Sequence, residues 1–206
     1  MEILLHPTCF PSIATFVAIA NADKVRFEVC DNYQKQTYRN RMYIYDANGK
    51  LPLNIPVIYT QKNRQLYKDI RIANYENWQD LLWKSIQSAY SSSPFFEFYE
   101  HDFLPLFTSK FEYLLEYNFK CLEVIYECLE LAFEFEKTSN FEKYPENIND
   151  YRSLVVSRKE REQHFKSYVQ VFDDKHGFLS NLSSLDLIFN EGPNAMLYLE
   201  AQHLQL

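Results

Sequence analysis

The sequence predicts an α/β fold, on three observations. The first thirty residues alternate strand, helix and strand, an Asn-Gly turn signal sits between two β-prone runs, and several amphipathic helical segments follow. The expected architecture is a mixed sheet, begun by a βαβ unit and a β-hairpin and packed with several helices, one of them long.

Each element has its own local reason. Glu2 to Leu5 is an apolar run stopped by His6-Pro7, and Ile13 to Ala20 is apolar without glycine or proline, with Ser12 placed as an N-cap. Lys24 to Cys30 alternates, with Val25, Phe27 and Val29 set against Arg26 and Glu28, which is a period-2 strand. Two strands joined this way are parallel, so the segments leaving both emerge at one sheet edge. Met42 to Tyr45 and Leu51 to Ile58 flank Asp46-Ala47-Asn48-Gly49 as a hairpin, with Pro52 and Pro56 marking an edge or interrupted strand. Lys68 to Ala73 reads as a further strand. Asn77 opens a helix over Trp78 to Ser91, with Leu81, Leu82, Ile86 and Ala89 on one side. Ser109 to Lys137 carries helical spacing throughout and predicts one long, bent helix. Thr138 to Tyr151 is polar and turn-rich, an exposed connection. Ser153 to Ser157 and Tyr168 to Phe172 look β-like, and Leu185 to Leu206 reads as helix, break and helix. At 206 residues the chain is expected to be one domain, 1–206.

Composition narrows the function. Hydrophobic residues make up 47% and charged residues 24%, a globular balance. Only Gly49, Gly177 and Gly192 occur, so Gly-rich phosphate loops cannot be built. Sixteen Tyr and 17 Phe supply rings for the core and for pocket walls. The net charge is −7 and the cations are dispersed, which argues against nucleic acid as a partner. No apolar run spans a membrane, and Met1 to His6 lacks the pattern of a signal peptide, so a cytoplasmic location is expected. Cys9, Cys30, Cys121 and Cys128 form no CxxC pair, and His101, His164, His176 and His203 lack metal-ligand spacing, so no metal site is expected; the sequence identifies no cofactor.

Two stretches carry chemistry. Cys30 to Arg41 packs three cations, two tyrosines and several amides behind the second strand. Lys35, Arg39 and Arg41 suit carboxylate or phosphate oxygens, Asn40 suits hydroxyls, and Tyr33 or Tyr38 suits a sugar or base ring. The same run also reads as a solvated loop, or as a latch between the hairpin and the helices. At the same expected edge lies His6 to Ser12, braced by Pro7 and Pro11. There His6 can serve as acid or base, and Cys9 is a nucleophile only if a cation lowers its pKa. Glu28, on the polar phase of its strand, needs a partner if covered, with Arg39 or Arg41 at hand.

The run Leu5-His6-Pro7-Thr8-Cys9-Phe10-Pro11-Ser12, with Tyr33 to Arg41, Leu51 to Val57, Ser88 to Phe96 and Leu182 to Gly192, resembles the WbqC-like protein family, in a branch common in Bacteroidetes. The Tyr38-Arg39-Asn40-Arg41 run is its most specific piece. Other branches open with a histidine-glutamine-proline segment, from which Thr8-Cys9 and Ser12 depart. The resemblance implies a cytoplasmic transferase on an activated (amino-)sugar in surface polysaccharide biosynthesis, moving an acyl or aminoacyl group. His6 or Glu28 would deprotonate the attacking amine, Arg39 and Arg41 would hold a diphosphate or carboxylate, and Tyr33 and Tyr38 would face the ring. Lys35 and Asn40 complete the expected substrate-binding set. The alternative is a non-catalytic binding or scaffold protein that recognises an anionic sugar or a protein partner.

Overall fold

Strand β1 (Glu2–Leu5), helix α1 (Ile13–Ala20) and strand β2 (Lys24–Phe27) form the N-terminal unit of a computed structural model that describes residues 1–60, 64–158 and 160–205. β1 and β2 are parallel neighbours, Glu2 opposite Lys24 and Leu5 opposite Phe27, the pairing a βαβ crossover produces. Alternation turns Ile3, Leu5, Val25 and Phe27 into the core and gives the other face to Glu2, Leu4, Lys24 and Arg26. Ser12 occupies the N-cap position of α1, but its hydroxyl bonds Thr15; the orphan amide of Ala14 is met by the side chain of Asn181, at 2.9 Å.

The hairpin is β3 (Arg41–Asp46) with β4 (Gly49–Asn54), a two-stranded sheet that leaves Pro52 on an edge strand. Gly49 has φ +101° and Asn48 is not left-handed, so the glycine alone supplies the turn's positive φ. The second β-prone run is divided after Asn54. Its remainder, β5 (Val57–Ile58), pairs with β6 (Arg71–Ile72), which is all that becomes strand between Lys68 and Ala73 because Tyr67–Asp69 winds into a 3-10 turn.

Helix α2 (Trp78–Tyr90) buries Leu82, Ile86 and Ala89 as its spacing predicts, whereas Leu81 is exposed and Trp83 takes its place in the core. Helix α3 (Phe96–Thr108) was not anticipated, since aromatic residues occur on both of its sides and Pro105 lies within it. The long helix is α4 (Leu114–Cys128), shorter at both ends than its periodicity. It stops because Glu130 adopts φ +55°, with the Leu131 amide reaching back to Tyr126 and the Glu130 amide to Glu127, a Schellman ending with glutamate where glycine is usual.

After α4 come β7 (Glu136–Lys137) and β8 (Asn149–Asp150), which complete a parallel sheet in the order β7-β2-β1-β8. The connection expected between residues 138 and 151 therefore starts directly after β7 and carries β8 near its far end; two-residue strands are too short to show an alternation. Ser153 to Ser157 is not a strand but a 3-10 turn over Arg152–Val155, and Tyr168 to Phe172 is irregular, leading into α5 (Asp173–His176). Helix, break and helix then follow as α6 (Ser184–Glu191), a 3-10 turn at Gly192–Asn194, and α7 (Ala195–Glu200); Leu206 lies outside the described residues. Buried Asp186 on α6 ties these late segments to the body, accepting hydrogen bonds from Tyr90 (2.9 Å), Tyr168 (2.5 Å) and Gln170 (2.7 Å). The fold is α/β, and one cluster of buried side chains runs from Ile3 to Leu199. Among the described residues no helix is long and apolar enough to cross a membrane.

Candidate functional site

The strand order reverses at β1: the chain moves from β1 to β2 and β7 on one side, then returns with β8 on the other. In open parallel sheets the crevice beyond the carboxyl ends of the strands at such a reversal is the preferred ligand position. Here each strand delivers a polar residue to that edge. His6 follows β1, Glu28 follows β2, Thr138 follows β7 and Arg152 lies just beyond β8. The Glu28 amide bonds the Leu5 carbonyl at 2.8 Å and extends the β1–β2 ladder one step, which sets Glu28 beside His6.

The two chemistry-bearing stretches meet at this edge. The Cys9 amide donates to the Tyr38 carbonyl at 3.1 Å, and the Arg39 guanidinium reaches the His6 ring, 3.1 Å to Nε2 and 3.3 Å to Nδ1. Arg39 also donates to Asp31 at 2.5 Å, and that carboxylate lies 3.6 Å from His6 Nε2. The group is nearly closed to solvent, with Arg39 0%, Glu28 1%, Asp31 5% and His6 7% exposed. Beneath it the Tyr67 ring carries the guanidinium at 5.2 Å, while the Asn118 amide donates to the Arg39 carbonyl (2.6 Å) and to the Tyr67 hydroxyl.

Burial determines the charges. Desolvation, reinforced by the Arg39 and Arg152 cations, holds His6 well below its ordinary pKa, against a smaller opposing effect of the Glu28 carbonyl. At neutral pH the ring is uncharged. A guanidinium can only donate and a neutral imidazole has one lone-pair nitrogen, so only one of the two Arg39–His6 contacts is a hydrogen bond. Asp31 is pushed up to about 6, chiefly by desolvation, with Glu28 adding to it and Arg39 opposing it.

Glu28 has neither Arg39 nor Arg41 as its partner. Its Oε1 accepts from the Cys30 amide (2.7 Å) and the Thr138 hydroxyl (2.9 Å), and Oε2 faces Arg152 at 3.5 Å. It lines a cleft of about 270 Å³ on the outward face of the sheet, between Leu4 and Arg26 below and residues 138–148 above.

Several buried polar atoms in this region have no hydrogen-bond partner: Asp31 Oδ1, Arg39 Nε, Thr8 Oγ1 and Asn118 Oδ1. Buried polar atoms are nearly always paired, so two unpaired atoms within the Asp31–Arg39 pair itself single this cluster out as a candidate site. The His6 loop is rigid there. Phe10 holds φ +40°, stacked on Phe107, and the Pro7 carbonyl accepts from Tyr67 at 2.7 Å. Cys9 is buried, and burial together with the neighbouring Cys121 raises its thiol well above the usual range, which keeps it un-ionised.

The other expected binding residues lie apart from this centre. Tyr33 donates to Asn40 (2.9 Å), and Asn40 donates to the Ile55 carbonyl (2.9 Å). Arg41 bonds Asn54 across the hairpin at 2.7 Å, and Lys35 sits over the Tyr59 ring. Tyr38 donates to Glu160 at 2.5 Å, so its hydroxyl is directed away from His6 toward a residue shared with Lys50. The structure thus brings together His6, Glu28 and Arg39, adds Asp31, Thr138 and Arg152, and spreads Lys35, Tyr38 and Arg41 over other contacts. Asp31 stood inside the polar run without being singled out. Arg152 had no sequence signal, because the strand that delivers it is two residues long.

No curated protein and no solved structure matches this chain. The model of the WbqC-like protein family does match it, over residues 6–167, a span that holds His6, Glu28, Asp31, Arg39 and Arg152. On that coverage the chain belongs to the WbqC-like protein family.

Proposed function

We propose that this protein is a cytoplasmic transferase that moves an acyl or aminoacyl group onto the amine of an activated amino-sugar during surface polysaccharide biosynthesis. The observation that carries the reading is the convergence of a neutral histidine, two carboxylates and two guanidinium groups at the carboxyl edge of the parallel sheet, with unpaired buried polar atoms among them. An amine is protonated at neutral pH and must lose a proton before it attacks. Glu28 is the carboxylate of this cluster that also lines the cleft, so it takes that proton, with the Cys30 amide and Thr138 holding its other oxygen. The amine lone pair then forms the C–N bond, the donor's leaving group departs with the electrons of the acyl bond, and the second amine proton goes to that leaving group. His6 and Arg39 lie behind Glu28, whereas Tyr33, Lys35, Tyr38, Asn40 and Arg41, held in contacts of their own away from the cleft, have no part in this step.

One observation favours the second reading, a non-catalytic binding protein: Arg39 already sits against both ring nitrogens of His6, at 3.1 and 3.3 Å. A mass-spectrometric screen of activated amino-sugars with acyl and aminoacyl donors separates the two. The transferase reading expects a product that disappears in Glu28→Gln at unchanged melting temperature. Turnover retained in that variant, or no acylated product from any pair, removes it.

A further inference from the structure

Residues 139–148 roof the Glu28 cleft, supplying Ser139, Asn140, Glu142, Pro145, Glu146 and Ile148 to its wall. Their attachment is slight. Among the described residues, the hydrogen bonds that tie this segment to the rest of the chain are two, both from Arg152, to the Glu142 carbonyl at 2.8 Å and to the Lys143 carbonyl at 3.2 Å. The same guanidinium lies over the Phe141 ring at 5.3 Å. The segment's other hydrogen bonds are internal, Ser139 to Asn140 and Asn140 to Glu142. Phe141 and Tyr144 are exposed. Few apolar contacts and one fastening point are the marks of a segment that opens well below the global unfolding free energy.

The cations around the cleft differ in what they can release. Arg39 is wholly buried against Asp31, Arg26 is shared between Glu2 (2.7 Å) and Glu136 (2.9 Å), and Lys137 lies over the Phe119 ring. Arg152 keeps Nε and one Nη2 hydrogen on Asp150, at 2.8 and 2.7 Å, faces Glu28 with Nη1 at 3.5 Å, and gives one Nη1 and one Nη2 hydrogen to main-chain carbonyls that water can satisfy equally well once exposed. A carboxylate or phosphate is a stronger acceptor for those donors than a neutral carbonyl.

We propose that residues 139–148 are a lid fastened by Arg152, and that the anionic group of the substrate opens it by taking the two Arg152 donors now held by Glu142 and Lys143. This rests on the reading of the cleft as the substrate site, and it names the residue that admits the substrate. The anion is bound at the mouth while Glu28 becomes accessible behind it.

Hydrogen exchange of the full chain tests this without any turnover. Amides of 139–148 are followed in inorganic pyrophosphate, in malonate and in sodium chloride of equal ionic strength. The lid should exchange about tenfold faster in one or both polyvalent anions than in chloride, and whichever acts tells phosphate from carboxylate. Arg152→Gln should exchange that fast in all three, and Arg152→Lys, which keeps the charge but lacks the planar fork that holds Asp150 and both carbonyls at once, should fall between. Exchange unaffected by either anion in the wild type overturns the opening mechanism; lid exchange unaltered in both variants overturns the fastening. Trypsin cleavage after Lys143 provides the same readout should Arg152→Gln fold poorly. Because no acyl transfer is measured, these outcomes are independent of the screen for turnover.

Discussion

Asp31 and Arg39, eight residues apart in sequence, close a 2.5 Å ion pair with both side chains out of reach of solvent. Removing one partner of such a pair strands the other charge, at a cost of about 3–5 kcal/mol. Arg39→Ala and Asp31→Ala should each lose that much in urea unfolding at neutral pH. The double variant Asp31→Leu/Arg39→Met, which leaves no charge unpaired, should be more stable than either. Single variants within about 0.5 kcal/mol of the wild type would show that water already reaches the pair.

Tyr67 joins the centre to the His6 loop, donating to the Pro7 carbonyl at 2.7 Å from below the Arg39 guanidinium. Tyr67→Phe leaves that carbonyl buried and unpaired, for a loss of about 1–3 kcal/mol. Calorimetric melting should record it. An unchanged melt would mean that the loop is held by its other contacts alone.

Asp186 gives the fold a pH dependence of definite sign. Desolvation raises its pKa from 3.8 to about 6, against the hydrogen bonds from Tyr168, Gln170 and Tyr90. Between those values the unfolded chain has lost the proton and the folded chain still holds it. Stability therefore falls as pH rises from about 4 to 6, by up to about 3 kcal/mol from this residue. Asp31 acts in the same direction and His6 in the opposite one, and both cancel when the wild type is compared with Asp186→Asn. Urea titrations of the two proteins at pH 4, 5 and 6.5 should diverge by that amount, and parallel curves would refute the assignment.

At the end of α4, Glu130 occupies a left-handed conformation that costs an L-residue roughly 1 kcal/mol. Glu130→Gly should stabilise the protein by about 0.5–1 kcal/mol, since the relieved strain exceeds the extra freedom glycine brings to the unfolded chain. A shift of the urea midpoint to higher concentration is the expected result; a shift to lower concentration would show that the glutamate side chain contributes at this position.

Legibility in the sequence followed the range of the signal. The βαβ unit, the hairpin and the C-terminal pair of helices could be read because strand alternation, Asn48-Gly49 and Gly192-Pro193 act on their neighbours. The end of α4 could not be read, because the residue that breaks it is a glutamate, a good helix former, held left-handed by hydrogen bonds to Tyr126 and Glu127. In the site, His6 and Glu28 were visible as residues just beyond two parallel strands. The partners that define their chemistry were not. Thr138 and Arg152 lie 110 and 124 residues from Glu28, at the ends of strands too short to alternate. Arg39, Arg41 and Lys35 looked equivalent in the polar run, and only the packing separates the buried cation from the two outside.

The strand order also bears on how the protein is made. β1 and β2 are synthesised first, yet the strands that flank them come from the far end of a 110-residue interval, as the Arg26–Glu136 pairing shows. At roughly 5–20 residues per second the ribosome leaves that nascent pair with both outer edges unpartnered for about 5–20 s. Uncovered edges of this kind recruit strands from neighbouring chains, so the yield of correctly made protein should depend on chaperone capture during that interval.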